Sequence, residues 1–111
     1  MNTKETFIEY ADIPEEFKPL ENVYIGENND TPKPMDCDFV VLSEVLENGN
    51  PLSHVVYFCR NNGDILEILE YKTKEQCKSS ALEDIGTTEI TWKPCNVQSS
   101  GENKIPRHQF A

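Results

Sequence analysis

The sequence predicts an α+β fold in one small domain: an antiparallel β-meander over about residues 38–72, one helix over about 74–85, and a final strand over about 87–93. Three observations carry this. Three runs rich in β-branched and aromatic residues lie close together. Asn/Gly-rich turn signals separate them. A helix-capping pattern follows the third run directly. With 111 residues, the chain has room for one modest core and no second one.

The first strand of the meander is Phe39-Val40-Val41-Leu42-Ser43-Glu44-Val45-Leu46. Asn48-Gly49-Asn50-Pro51 is a turn signal, and His54-Val55-Val56-Tyr57-Phe58-Cys59 is the second strand. Asn61-Asn62-Gly63-Asp64 forms a tight hairpin turn, because Asn and Gly tolerate positive φ. Ile65 to Tyr71 is the third strand. Apolar residues stand next to one another in these strands (Val40 and Val41, Val55 and Val56), so both faces of the sheet need cover. The helix supplies one cover. The N-terminal arm or a second subunit is the expected source of the other.

The helix begins at Thr73-Lys74-Glu75-Gln76, a capping box, and places Cys77, Ala81, Leu82 and Ile85 at helical spacing. Gly86 ends it. Thr87 to Trp92 reads as the last strand, closed by Pro94 and free to pair at either edge of the meander. Residues 1–35 read as an extended arm packed on or flanking the core domain of residues 36–95. Within the arm, Asp12-Ile13-Pro14-Glu15-Glu16-Phe17 is one helical turn capped by Asp12, Val23-Tyr24-Ile25 is a short strand, and residues 28–34 are a loop. Residues 96–111 read as a flexible tail.

Charge is the most informative bulk property. Twenty acidic residues oppose ten basic ones, giving −10. Residues 1–35 carry −5, residues 36–95 carry −6, and residues 96–111 carry +1. Such a chain repels nucleic acid and anionic lipid, whose binding needs Lys and Arg against phosphates. It attracts a basic protein. The N-terminus shows no apolar leader, which predicts a cytoplasmic protein with reduced thiols.

Motifs for catalysis and metal binding are absent. Cys37, Cys59, Cys77 and Cys95 form no close pair of the kind that gathers a zinc ion, and Cys59 and Cys77 read as small core residues. His54 and His108 read as surface residues. Asp36-Cys37-Asp38 is only a fragment of a calcium loop, and no phosphate loop or nucleophile elbow is present. No enzyme, cofactor or metal is therefore expected.

In size, charge and lack of catalytic motifs the profile is similar to immunity proteins for nuclease toxins and to phage-encoded inhibitors of nucleic-acid enzymes. The likeness is one of composition and carries no residue assignments. It implies a small acidic inhibitor of a basic protein, a nuclease-like toxin or a nucleic-acid enzyme. The expected contacts are Glu44, Glu47, Asp64, Glu67 and Glu70 in the meander, and Asp12, Glu15 and Glu16 in the arm. Tyr71 and Trp92 are the aromatic anchors, with Tyr10 and Tyr24 as further candidates. Glu44, Glu67 and Glu70 can also pair with Lys72 or Lys93 across the sheet. The alternative is a structural or assembly subunit that forms homo-oligomers through its sheet edges.

Overall fold

The computed structural model describes residues 3–20, 35–101 and 103–110. The expected strand Val23-Tyr24-Ile25 and the loop of residues 28–34 lie outside them. Among the described residues, seven strands and one α-helix run in chain order: β1 (Thr3–Asp12), β2 (Pro19–Leu20), β3 (Met35–Asp36), β4 (Phe39–Glu47), β5 (Asn50–Cys59), β6 (Ile65–Tyr71), α1 (Lys74–Ile85) and β7 (Lys93–Gln98). Five of the strands form one antiparallel sheet in the order β6-β5-β4-β1-β7, and β2 pairs with β3. The α+β fold is as the sequence predicts.

The meander is β4-β5-β6. Its first turn holds Asn48 and Gly49 at φ 52° and 84°, the two positive values that a tight hairpin needs. Pro51 lies in β5 beyond the last residue paired with β6, so its missing N–H removes no bond to that strand. The second turn closes through Arg60 N–H to Asp64 O at 2.9 Å and Gly63 N–H to Arg60 O at 2.8 Å. Helix α1 carries the full capping box: Gln76 N–H donates to Thr73 Oγ1, and Thr73 N–H donates to the Gln76 side chain. Gly86, at φ 89°, ends the helix and donates to Leu82 O.

Two clusters form on opposite faces of the sheet. On the helix side, Cys77, Ala81 and Ile85 pack on Ala11, Ile13, Val40, Leu42, Val56, Phe58 and Ile90, with Leu82 half-buried beside them. On the other side lie Phe7, Tyr10, Phe39, Val41, Cys59, Ile105 and Phe110. Among the described residues, the second cover does not come from the N-terminal arm. It is the C-terminal segment, which ends in a 3-10 turn (Arg107–Phe110). Phe110 lies 5.7 Å from the Phe7 ring and is stacked 5.5 Å from Tyr10.

Several expectations are thus corrected. Residues 3–12 are not an arm but β1, an inner strand between β4 and β7. A bulge at Ile8 turns both Ile8 and Glu9 toward α1, which hides the two-residue alternation in the sequence. The last strand is Lys93–Gln98 rather than 87–93. Residues 87–92 form a connection, with Ile90 buried and Glu89 N–H bonded to Thr87 Oγ1 in place of a ladder. Pro94 does not end the strand, because β7 is an edge and its outer side has no ladder to lose. Residues 105 and 110 of the expected tail are core residues. Asp12 does not cap the Glu15–Phe17 turn, whose N-cap is Pro14; it ends β1 and meets Arg107.

Candidate binding face

The face away from α1 is the candidate site. Strand pairing places Glu5, Val45 and Ser53 in one row across this face, and Tyr57 beside Ile68 in another. Glu5 reaches along the face into a buried polar network. Its Oε2 accepts from Ser43 Oγ at 2.6 Å and from Tyr57 Oη at 2.5 Å. Burial, and then the Glu5 carboxylate itself, push the Tyr57 phenol above its ordinary value, so it keeps its proton and donates. No other hydrogen bond or ion pair to this carboxylate occurs among the described residues.

Above the network, the C-terminal segment leaves a cleft of about 270 Å³. Glu5, Phe7, Tyr57 and Ile65 line it from the sheet, and Lys104 and Ile105 from the cover. The cover is partial. Ile68, opposite Tyr57, keeps 57% of its surface exposed, and Glu70 next to it on this face is exposed while accepting from Ser53 Oγ at 2.5 Å.

The expected contact residues do not converge. Glu47 and Glu70 lie on this face. Glu44 and Glu67 lie on the helix side, paired in register with His54 and Phe58. Neither these two nor Glu70 pairs with Lys72 or Lys93: Glu44 Oε2 is 3.8 Å from His54 Nε2, and Glu67 neighbours Asp84 of α1. Asp64 sits in the β5–β6 turn, 3.2 Å from Lys104. Asp12 takes a two-pronged bond from Arg107 at 2.7 and 2.9 Å, which holds its carboxyl below the ordinary value. Glu15 pairs with Lys18 at 3.0 Å, and Glu16 is exposed with no ion pair among the described residues. Tyr71 and Trp92 are half-buried against the helix-side core, and Lys78 bridges the Trp92 ring (5.2 Å) to Glu9 (2.8 Å). Tyr10 lies in the other core, and Tyr24 outside the described residues.

Sequence reasoning missed Glu5, Ser43 and Lys104. The sequence places Glu5 in an arm, and only the β1–β4 register brings it near Ser43. The single available signal was Ser43 and Tyr57, polar-tipped positions within strands otherwise dominated by apolar residues.

The Glu67–Asp84 contact makes stability depend on pH. Burial, and then the Asp84 carboxylate, raise Glu67 to about 7. The folded protein therefore holds this proton more tightly than the unfolded chain does. The stabilisation is fully present below the ordinary carboxylate range and is lost as pH rises through about 7. Urea unfolding at pH 5 and pH 8 is expected to show lower stability at pH 8, and Glu67→Gln to reduce that difference. An unchanged difference in the variant would place its origin elsewhere.

The four thiols are free, and all but Cys95 are buried. Three of them donate to a backbone carbonyl: Cys37 to Phe39 and Cys59, Cys77 to His54, and Cys95 to Phe7. Burial pushes Cys37 up to about 12, so it behaves as a protonated core group. His54 is half-buried, its Nδ1 3.2 Å from Lys72 O, while His108 is exposed. Among the described residues no helix is long and apolar enough to cross a membrane. No protein-family model, curated protein or solved structure matches this chain.

Proposed function

We propose that this chain is a binding protein that captures and neutralises a basic protein, such as a nuclease-like toxin or a nucleic-acid enzyme, through the sheet face away from α1. The observation that carries the reading is the incomplete cover of that face. Exposed Ile68 stands beside Glu70, on the same face as Glu5 and Glu47, in a chain with a net charge of −10. Five other acids (Glu9, Asp12, Glu15, Asp38 and Asp64) already have an internal Lys or Arg partner. Glu5, Glu47 and Glu70 have none among the described residues, so their field is directed outward. An apolar residue among carboxylates suits a partner surface that normally meets nucleic acid. The reading includes no catalytic step and no cofactor.

The test is capture from a native lysate of the source organism. The immobilised chain is expected to retain one basic protein at low salt and to release most of it at high salt. The double variant Glu47→Lys/Glu70→Lys is expected to retain at least about tenfold less. A specific observation favours a second reading, assembly with further copies: β6 is an open edge of the sheet and carries exposed Ile68. Retention of the chain's own copies alone, with a mass that rises with concentration, would move the assignment there.

A further inference from the structure

We propose that the cleft between the C-terminal segment and the sheet is a socket for a guanidinium or ammonium group on an apolar stem, an arginine or lysine side chain of the partner. Naming the partner as its bearer rests on the binding reading above. The cation chemistry rests on the cleft alone.

The floor of the cleft is a carboxylate fixed before anything binds. Two hydroxyls, Ser43 Oγ and Tyr57 Oη, both donate to Glu5 Oε2. The carboxylate is thereby held in one orientation, while Oε1 has no hydrogen-bond partner among the described residues. A ligand donor finds a carboxyl acceptor whose ordering cost is already met by the fold. Ser43 is fully buried and Tyr57 half-buried, so the network is part of the sheet and not of a mobile surface.

The walls suit a stem. Phe7, Tyr57, Ile65 and Ile105 line the cleft, with the Phe7 and Tyr57 rings edge to face at 6.0 Å. Lysine and arginine bury their methylenes on such surfaces, and their charged ends are attracted to ring faces. A cleft of about 270 Å³ is much larger than one water site and leaves room for an extended side chain. Among the described residues the one cation on the lining is Lys104, which has Asp64 at 3.2 Å and makes no ion pair with Glu5. The chain's net charge of −10 further favours a cation over an anion.

The probe is n-butylguanidinium, titrated into the full isotope-labelled chain and followed by amide NMR shifts, with neutral n-butylurea as the control. Saturable shifts are expected at Glu5 and Tyr57, and at Ser100 and Gln109, which also line the cleft, with the cation and not with the urea. Glu5→Gln, whose amide oxygen still accepts from both hydroxyls, is expected to weaken binding at least about tenfold while keeping a folded spectrum. Tyr57→Phe leaves the charge but loosens its orientation, and is expected to weaken binding about threefold. No shift with butylguanidinium, an equal response to butylurea, or undiminished binding by Glu5→Gln would overturn the socket. The two readings separate in the capture experiment. A basic protein held as tightly by Glu5→Gln as by the unaltered chain would sink the socket and leave the binding reading standing. Glu5-dependent cation binding without any captured protein would do the reverse.

Discussion

Replacing Phe110 by alanine is expected to cost about 3 kcal/mol of stability, although the residue is the second from the end of the chain. Its ring is 7% exposed and touches three other rings: Phe7 at 5.7 Å, Tyr10 at 5.5 Å and Phe39 at 6.1 Å. Truncation removes the aromatic contacts and leaves a void that the sheet, hydrogen-bonded on both sides at β4 and β1, cannot close by moving strands. The C-terminal turn can relax, which keeps the expected cost at the low end of the range for a buried phenylalanine. In urea the midpoint should fall by about 2 M, taking a slope of roughly 1.5 kcal/mol per molar. Phe110→Leu should recover more than half of the loss. A midpoint that moved by less than about 0.5 M would mean that this segment does not form part of the core.

The second large effect is expected at Gly63. Its φ of 103° lies where a side chain is strained, and an added Cβ would stand 3.3 Å from both Lys104 Cβ and Pro106 N. The C-terminal segment passes directly over this turn, and Ile105 N–H donates to Gly63 O at 2.9 Å. Gly63→Ala therefore strains the β5–β6 turn and pushes on the cover together, for an expected loss of about 2–3 kcal/mol. Because Gly63 and Phe110 act on the same segment, the double variant should cost less than the sum of the two single ones. Strict additivity would show that the turn and the cover are held independently.

Much of the fold was legible, for identifiable reasons. The meander and α1 are built from local signals: the Asn48-Gly49 turn with both residues at positive φ, the Thr73–Gln76 capping box, and Gly86. What the sequence hid is non-local. Nothing in Thr3–Asp12 tells that it will lie between β4 and β7, and the bulge at Ile8 interrupts its alternation. Ile105 and Phe110 are two apolar residues in a polar stretch, and only the bare face of the sheet explains why they are buried. The expectation that both faces need cover was sound; the source of the second cover was not visible. The candidate site suffered most, because Glu5, Ser43, Tyr57 and Lys104 come from four separate parts of the chain. Acids chosen for their place in the meander were divided between two faces by strand alternation, with Glu70 and Glu47 on one and Glu67 and Glu44 on the other.

The position of β1 has a consequence for how the protein is made. Strand β1 leaves the ribosome about 90 residues ahead of its second neighbour: Thr6 pairs with Gln98, and Phe7 with Val97. During synthesis β1 can meet β4 early, but its outer edge stays bare until β7 emerges, and Phe7 and Tyr10 stay open to water until Ile105 and Phe110 do. Closing so long a loop is slow compared with making a hairpin, which places folding in the range of milliseconds to seconds. The nascent chain is thus exposed to pairing with its neighbours on a polysome until β7 arrives, and the acidic character of these residues helps to keep those neighbours apart.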